Sequence, residues 1–216
     1  EAYGTFAEVP TRPELERDGF WLGAGNVLTK GAERRLPLYE GKMVQLYDHR
    51  AASVEVNPDN LHRPAQPRAT TAAEYADPGY SAMPQFWVAE SEVKNRVGDW
   101  EPDWFLSFKD VCAPTNVRTV LCSFLPLAGV GNNQPLALSG VKERPLHAAL
   151  QANLASMPLD FAARQKVGGQ HLNFFIVEQL PVFPPETYTR DFHGMTLLDF
   201  ILPRVLELTY TAHDME

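Results

Sequence analysis

Positive charge is scarce in this chain. Its 19 Lys and Arg face 27 Asp and Glu, a formal net charge of −8 over 216 residues. Nucleic-acid binding draws affinity from bases that neutralise phosphates. The balance therefore argues against that role for the surface as a whole, though not for a local patch. Cysteine is nearly missing as well. Cys112 and Cys122 lie in apolar stretches, and two buried free thiols in a reducing cytoplasm are expected rather than a disulfide. No apolar run approaches the roughly 20 residues needed to cross a bilayer, and no basic-then-apolar leader opens the sequence, so no membrane partner is expected. His49, His62, His147, His171, His193 and His213 show no ligand spacing, and no metal site is expected from them. A Gly-x-Ser-x-Gly elbow is absent, and the Asp48–His49 pair is adjacent rather than spread as a triad. There is no internal repeat.

What is present is ordinary globular material: 44% hydrophobic and 21% charged residues, enough for a core. Thr11 and Glu14 form a capping box for a short helix over about 12–18, with Gly19 as its stop. Residues 20–28 read as a hairpin around the turn 23–26. Apolar and polar residues alternate in the later half of 36–47, as in a half-buried strand. Residues 57–84 hold five prolines and little periodicity, which predicts a long loop. A strand end and short helix follow at 86–97, strands at 104–111 and 118–126, and a turn-rich loop at 129–133. From Pro145 the period is helical, and Pro158 splits that helix. A strand is predicted at 172–177, a proline-rich exit at 179–185, and a helical region over 197–209 broken at Pro203. The mixture lacks regular βαβ alternation, which points to an irregular α+β arrangement within the broad α/β class, a twisted mixed sheet with flanking helices. The chain begins at Glu1 and ends at Glu216 inside helical pattern; a piece of a longer protein is expected.

Acids crowd the C-terminal part, with seven against two bases over 178–216, while Arg164 and Lys166 stand without an acid in 164–173. There a helix end meets Gly168, Gly169 and Gln170. Glycines allow close approach of a backbone to a ligand, and bases beside such a turn suit phosphate. The same residues also fit a glycine C-cap with bases complementing the helix dipole. Asp48, His49 and Arg50 leave a strand and could reach a ligand or simply form a polar exit. Lys109, Asn116 and Arg118 pose the same choice. Glu40 and Lys42, with Glu33 upstream, have the residue types of a magnesium nuclease site, without the Pro-Asp that should precede them and with Gly41 interrupting the strand.

Three blocks carry a resemblance. LPLYEGKMVQLYDHR (36–50), FKDVCAPTNVRTV (108–120) and ARQKVGGQHLNFFIVEQLPVFPP (163–185) resemble, in this order, blocks C-terminal to the catalytic domain in large N6-adenine DNA methylases, single-chain restriction-modification enzymes among them. Lys109 stands where the family usually has Arg, and Gln170 where it has Thr. The third block is also similar to the end of a target-recognition domain in type I specificity subunits. The resemblance covers roughly 20–210. It implies a DNA target-recognition domain at 36–185, after a connector with a short helix and hairpin at 1–35 and before the start of a C-terminal helical segment at 186–216. It implies duplex DNA as partner, met by Arg164, Lys166, Gly168, Gly169, Gln170 and Asn173, and by His49, Arg50, Asn116 and Arg118. Arg63, Gln66 and Arg68, in the proline-rich loop, become candidate base readers. The catalytic methyltransferase domain of the same polypeptide would be the second partner and would bind S-adenosylmethionine. This fragment would hold no cofactor and no activity. Adenine methylation needs an Asp/Asn-Pro-Pro-aromatic grip on the flipped base, which NPDN (57–60) does not match. The GAGN turn (23–26) lacks the strand–helix context of a cofactor loop. Two other readings stay open: the nuclease of Glu33, Glu40 and Lys42, and a scaffold that docks subunits of a phage-defence complex through acidic faces.

Overall fold

The computed structural model describes residues 6–216; residues 1–5 of the expected connector lie outside that range. Helix α1 (Arg12–Arg17) starts at Thr11, whose backbone N–H and hydroxyl both donate to the Glu14 carboxylate, with Pro13 in the first turn. Strands β1 (Trp21–Leu22) and β2 (Leu28–Lys30) form the expected hairpin, closed by a 3-10 turn over Ala24–Asn26. β3 (Glu33–Tyr39) pairs antiparallel with β2.

The strand expected in the later half of 36–47 therefore lies earlier. After Tyr39 the chain turns through a 3-10 segment, Gly41–Met43. Close packing fixes this turn: a Cβ on Gly41 would sit 2.7 Å from the Asn133 carbonyl oxygen. Backbone cannot swing aside as a side-chain tip can. Gly41→Ala is expected to cost about 1–3 kcal/mol, as overpacking does, read as a lower denaturation midpoint with unchanged helical content.

The proline-rich stretch is not a structureless loop. β4 (Ala52–Val56) and β5 (Ala65–Ala69) form a hairpin, and α2 (Ala72–Ala76) follows, capped by Thr71 and Glu74. Pro67 is tolerated because β5 pairs on one side only. β6 (Trp87–Ala89) joins β3 on its other side and runs directly into α3 (Glu90–Val97). β7 (Trp104–Phe108) and β8 (Cys122–Pro126) pair antiparallel as their apolar runs predict. β9 (Gly129–Val130) pairs parallel with β3, which makes the main sheet mixed.

α4 (Arg144–Leu154) and α5 (Met157–Lys166) are separate helices with Pro158 in the first turn of the second, where a missing N–H does no harm. The expected strand 172–177 is instead the short helix α6 (Phe174–Val177). Only Leu172 keeps a strand-like bond, to the Asp110 carbonyl; the Asn173 side chain then accepts from the Ile176 amide and starts the helix. After the small hairpin β10 (Asp191–Phe192) and β11 (Met195–Thr196), α7 (Leu197–Thr209) passes through Pro203 without breaking. Packing of α7 along α4 overrides the lost backbone bond.

The fold is mixed α and β, as expected. The main core joins β7, β8, α4, α5 and α7, with Phe108, Cys122, Ala163 and Leu172 at its centre. Both cysteines are free and buried, and burial pushes the Cys122 thiol up to about 12. β3 crosses the expected 35/36 boundary, and the C-terminal segment contacts β8. Among the described residues no helix is long and apolar enough to cross a membrane.

Candidate nucleic-acid interface

The blocks 108–120 and 163–173 meet in one place. His171 forms a bridge with Val111, the Cys112 amide donates to the Gln170 carbonyl at 2.9 Å, and the Leu172 amide donates to the Asp110 carbonyl at 2.7 Å. The His171 ring lies 2.8 Å from the Asp110 carboxylate through Nδ1. Asp160 in α5, itself only 4% exposed, accepts from the amides of Thr119 and Val120, each at 2.8 Å. Arg164, one turn later, donates through Nη2 to the carbonyls of Asn116 (2.9 Å) and Val117 (3.0 Å) and through Nε to the Thr119 hydroxyl. Arg118 donates to the Ala155 carbonyl at the end of α4. Its Nε is 3.4 Å from Asp160, an ion pair without hydrogen-bond alignment.

This makes a platform of exposed turns. Asn116, Lys166, Gly168, Gly169, Gln170, His171 and Asn173 are all exposed on it. Lys166 reaches Gln179 at 3.3 Å, and Asn173 spends its side-chain oxygen on the cap of α6. Lys109 is partly buried, which lowers its pKa by desolvation. Over 108–120 and 157–173 the bases Lys109, Arg118, Arg164 and Lys166 outnumber the acids Asp110 and Asp160, and Asp160 is turned inward.

The glycine pair is not a C-cap. α5 ends at Lys166, and Val167 after it has φ −77° and ψ 102°, extended rather than left-handed. Neither Gly168 nor Gly169 is among the positive-φ glycines, and a Cβ on either would meet nothing within 4 Å. The fold has no steric need for glycine here, and the pair leaves that stretch of backbone without side chains.

His49 and Arg50 are corrected: both are interior. His49 is 0% exposed, with Nε2 2.9 Å from Asp214, and Arg50 is 2% exposed, donating to four backbone carbonyls. Burial pushes the Asp214 carboxyl up, but the hydrogen bond and charge of His49, with Ser81 and Arg50, outweigh it and hold the group below its usual range. Arg118 and Arg164 sit at the platform but are engaged in holding it together. Of the base-reader candidates, Arg68 is tied to Glu74 at 2.7 Å and Glu55 at 3.0 Å, while Gln66 donates to the Arg63 carbonyl at the exposed hairpin tip. His171 carries no site signal in the sequence, because its pairing with Asp110 needs the strand ends brought together.

The nuclease residues do not converge. Glu33 and Glu40 stand at the start and just past the end of β3, roughly 20 Å apart at strand rise, and Lys42 pairs with Glu40 at 2.9 Å. Among the described residues no group of three metal-ligating side chains forms. The turn 23–26 joins two antiparallel strands, not a strand to a helix. A separate cavity of about 680 Å³ lies between α4 and α7, walled by Trp104, Phe124, Leu202, Leu206, Tyr210 and Met215. None of the candidate site residues named from the sequence lines it. No protein-family model, curated protein or solved structure matches the chain.

Proposed function

We propose that this chain is a DNA-recognition module, the target-recognition part of an adenine-specific DNA methyltransferase whose catalytic domain, with its S-adenosylmethionine, lies elsewhere in the same polypeptide. The observation that carries the reading is the bare Gly168–Gly169 turn, sterically unneeded by the fold, set among exposed Lys166, Gln170 and His171 on a locally basic face of an acidic protein. A phosphate backbone is the ligand that profits from both. It meets the cation and the peptide N–H groups together, and glycine lets it come near. Asn116 and Gln170 supply amides for base edges. The chain by itself carries no catalysis in this reading, and its buried thiols suit the cytoplasm in which such an enzyme would work.

The test is duplex binding followed against salt. Wild-type protein is expected to give a linear fall of log affinity with log salt. Lys166→Ala should flatten that slope by about 0.9, the value for one phosphate contact. Lys166 is the better probe than Arg164, because removing Arg164 also frees the 116–117 turn. A slope identical in wild type and Lys166→Ala would remove Lys166 from the interface. Absence of any salt-dependent binding would remove the reading.

A further inference from the structure

On α5 and the 113–118 loop stand three apolar side chains that the fold leaves in water. Val117 is 93% exposed, Met157 71% and Phe161 67%. Met157 and Phe161 are one turn apart on α5, so they share a face. The Arg118 guanidinium touches the Met157 sulfur at 3.1 Å, and Arg164 holds the Val117 carbonyl at 3.0 Å. The loop that carries Val117 is thus tied to α5 by two arginines. Single exposed apolar residues are ordinary, but here two share a helix face and the third sits on a loop pinned to that helix.

Two further properties narrow the occupant. The first is stiffness. The loop that lifts Val117 closes on itself, Asn116 amide to Ala113 carbonyl at 3.0 Å. Arg164 grips the carbonyls of 116 and 117, Arg118 is anchored to Ala155, and the amides of 119 and 120 end on Asp160. The valine is exposed on a braced support, not on a loose tip. The second is charge. The cations near the ridge are the exposed Lys166 and the Asp160-paired Arg118 and Arg164, with Lys109 on the adjoining strand end. Of the nearby acids, Asp160 is buried beneath the loop and Asp110 is paired with His171. A braced apolar edge flanked by cations is complementary to a ligand with negative rails and an apolar interior. Duplex DNA is such a ligand: phosphates meet the bases, and apolar side chains enter between base steps.

We infer that Val117, with Met157 and Phe161 on the adjoining helix, is a wedge that enters duplex DNA and unstacks a base step. This rests on the DNA-recognition reading. The experiment uses a set of duplexes in which 2-aminopurine replaces adenine at successive positions, because its fluorescence rises on unstacking. Saturating wild-type protein should raise the signal severalfold at one position. Val117→Ser combined with Phe161→Ser should abolish the rise and weaken binding roughly tenfold, about the value of taking one valine side chain out of water. The salt slope should not change, since no cation is lost. Both side chains are exposed, so folding should survive, and Val117→Ser alone serves as the check. A normal salt slope with flat fluorescence at every position overturns the wedge and leaves the recognition reading standing. A rise that survives the double substitution also overturns it, and ridge variants that bind DNA at full strength assign the face to a protein partner instead. No binding by wild-type protein overturns both.

Discussion

Arg50→Ala is expected to leave a protein that does not fold cooperatively at room temperature. The guanidinium lies inside the molecule and spends its fork on backbone carbonyls: Nη1 donates to Asp77 (2.9 Å) and Tyr80 (3.3 Å), Nη2 to Tyr75 (3.0 Å) and Thr211 (2.6 Å). The group also lies 5.5 Å from the Tyr75 ring centroid. Those carbonyls belong to α2, to the turn after it and to the C-terminal segment, none of which pairs in a sheet with the others. Hydrogen bonds to a charged group contribute about 1.5–3 kcal/mol each, and buried carbonyls left without donors add their own cost. Even with strong non-additivity the loss should exceed about 4 kcal/mol, comparable to the whole stability of a marginal domain. Arg50→Lys should recover little, because an ammonium is a point donor and cannot span carbonyls on both sides. Urea denaturation followed by circular dichroism checks this. A midpoint for Arg50→Ala within error of wild type would show that the carbonyls find other partners and that the knot is dispensable.

Arg50 also shows what could be read from the sequence and what could not. Local signals were legible wherever one segment decides its own state. The capping box at Thr11 and Glu14, the hairpin around 23–26, the apolar runs of β7 and β8 and the split at Pro158 all appear where expected. Signals failed where a distant segment decides. The alternation after Gly41 resembled a strand, but Asn133, far along the chain, packs against that glycine and forces a turn. LNFFIV (172–177) has strand-forming residues, yet Phe174 stacks edge-on against Phe108 at 5.4 Å and the chain curls into α6. The same limit governs the candidate site. A base is recognisable in a sequence, but its partner is not. His49 and Arg50 looked available because Asp214 and the carbonyls that hold them lie up to 165 residues away. Lys166, Gly168, Gly169 and Gln170 were legible as a turn, and the structure removes the C-cap explanation that competed for the glycines.

Asp160→Ala is expected to dismantle the proposed interface from below. Its carboxylate accepts from two buried amides and stands 3.4 Å from both Arg118 and Arg164. Truncation leaves the Thr119 and Val120 amides unpaired in a fully buried segment and two guanidiniums without a counter-charge. Removing one partner from such a buried arrangement costs about 3–5 kcal/mol. Asp160→Asn separates the contributions. An amide oxygen can still accept from the two backbone donors, so most of the fold should remain, at a cost nearer about 1–2 kcal/mol. The arginines lose their charge partner, however, and the loop carrying Asn116 and Val117 should loosen. Amide hydrogen exchange over 113–118 should therefore accelerate in Asp160→Asn while the β7–β8 amides keep their protection. Because Asp160 and Arg164 act on the same loop, combining Asp160→Asn with Arg164→Ala should cost less than the two single changes added, a coupling of about 0.5–3 kcal/mol. Strict additivity would mean that Asp160 and Arg164 act on the loop independently, and Asp160→Ala melting at the wild-type temperature would mean that the buried amides never depended on it. The intermediate result, a folded Asp160→Asn protein with a loose loop, is the informative one for function. It keeps Lys166 and both glycines in place while removing the brace beneath Val117. DNA affinity should then fall through loss of the stiff ridge, while the salt slope stays that of wild type.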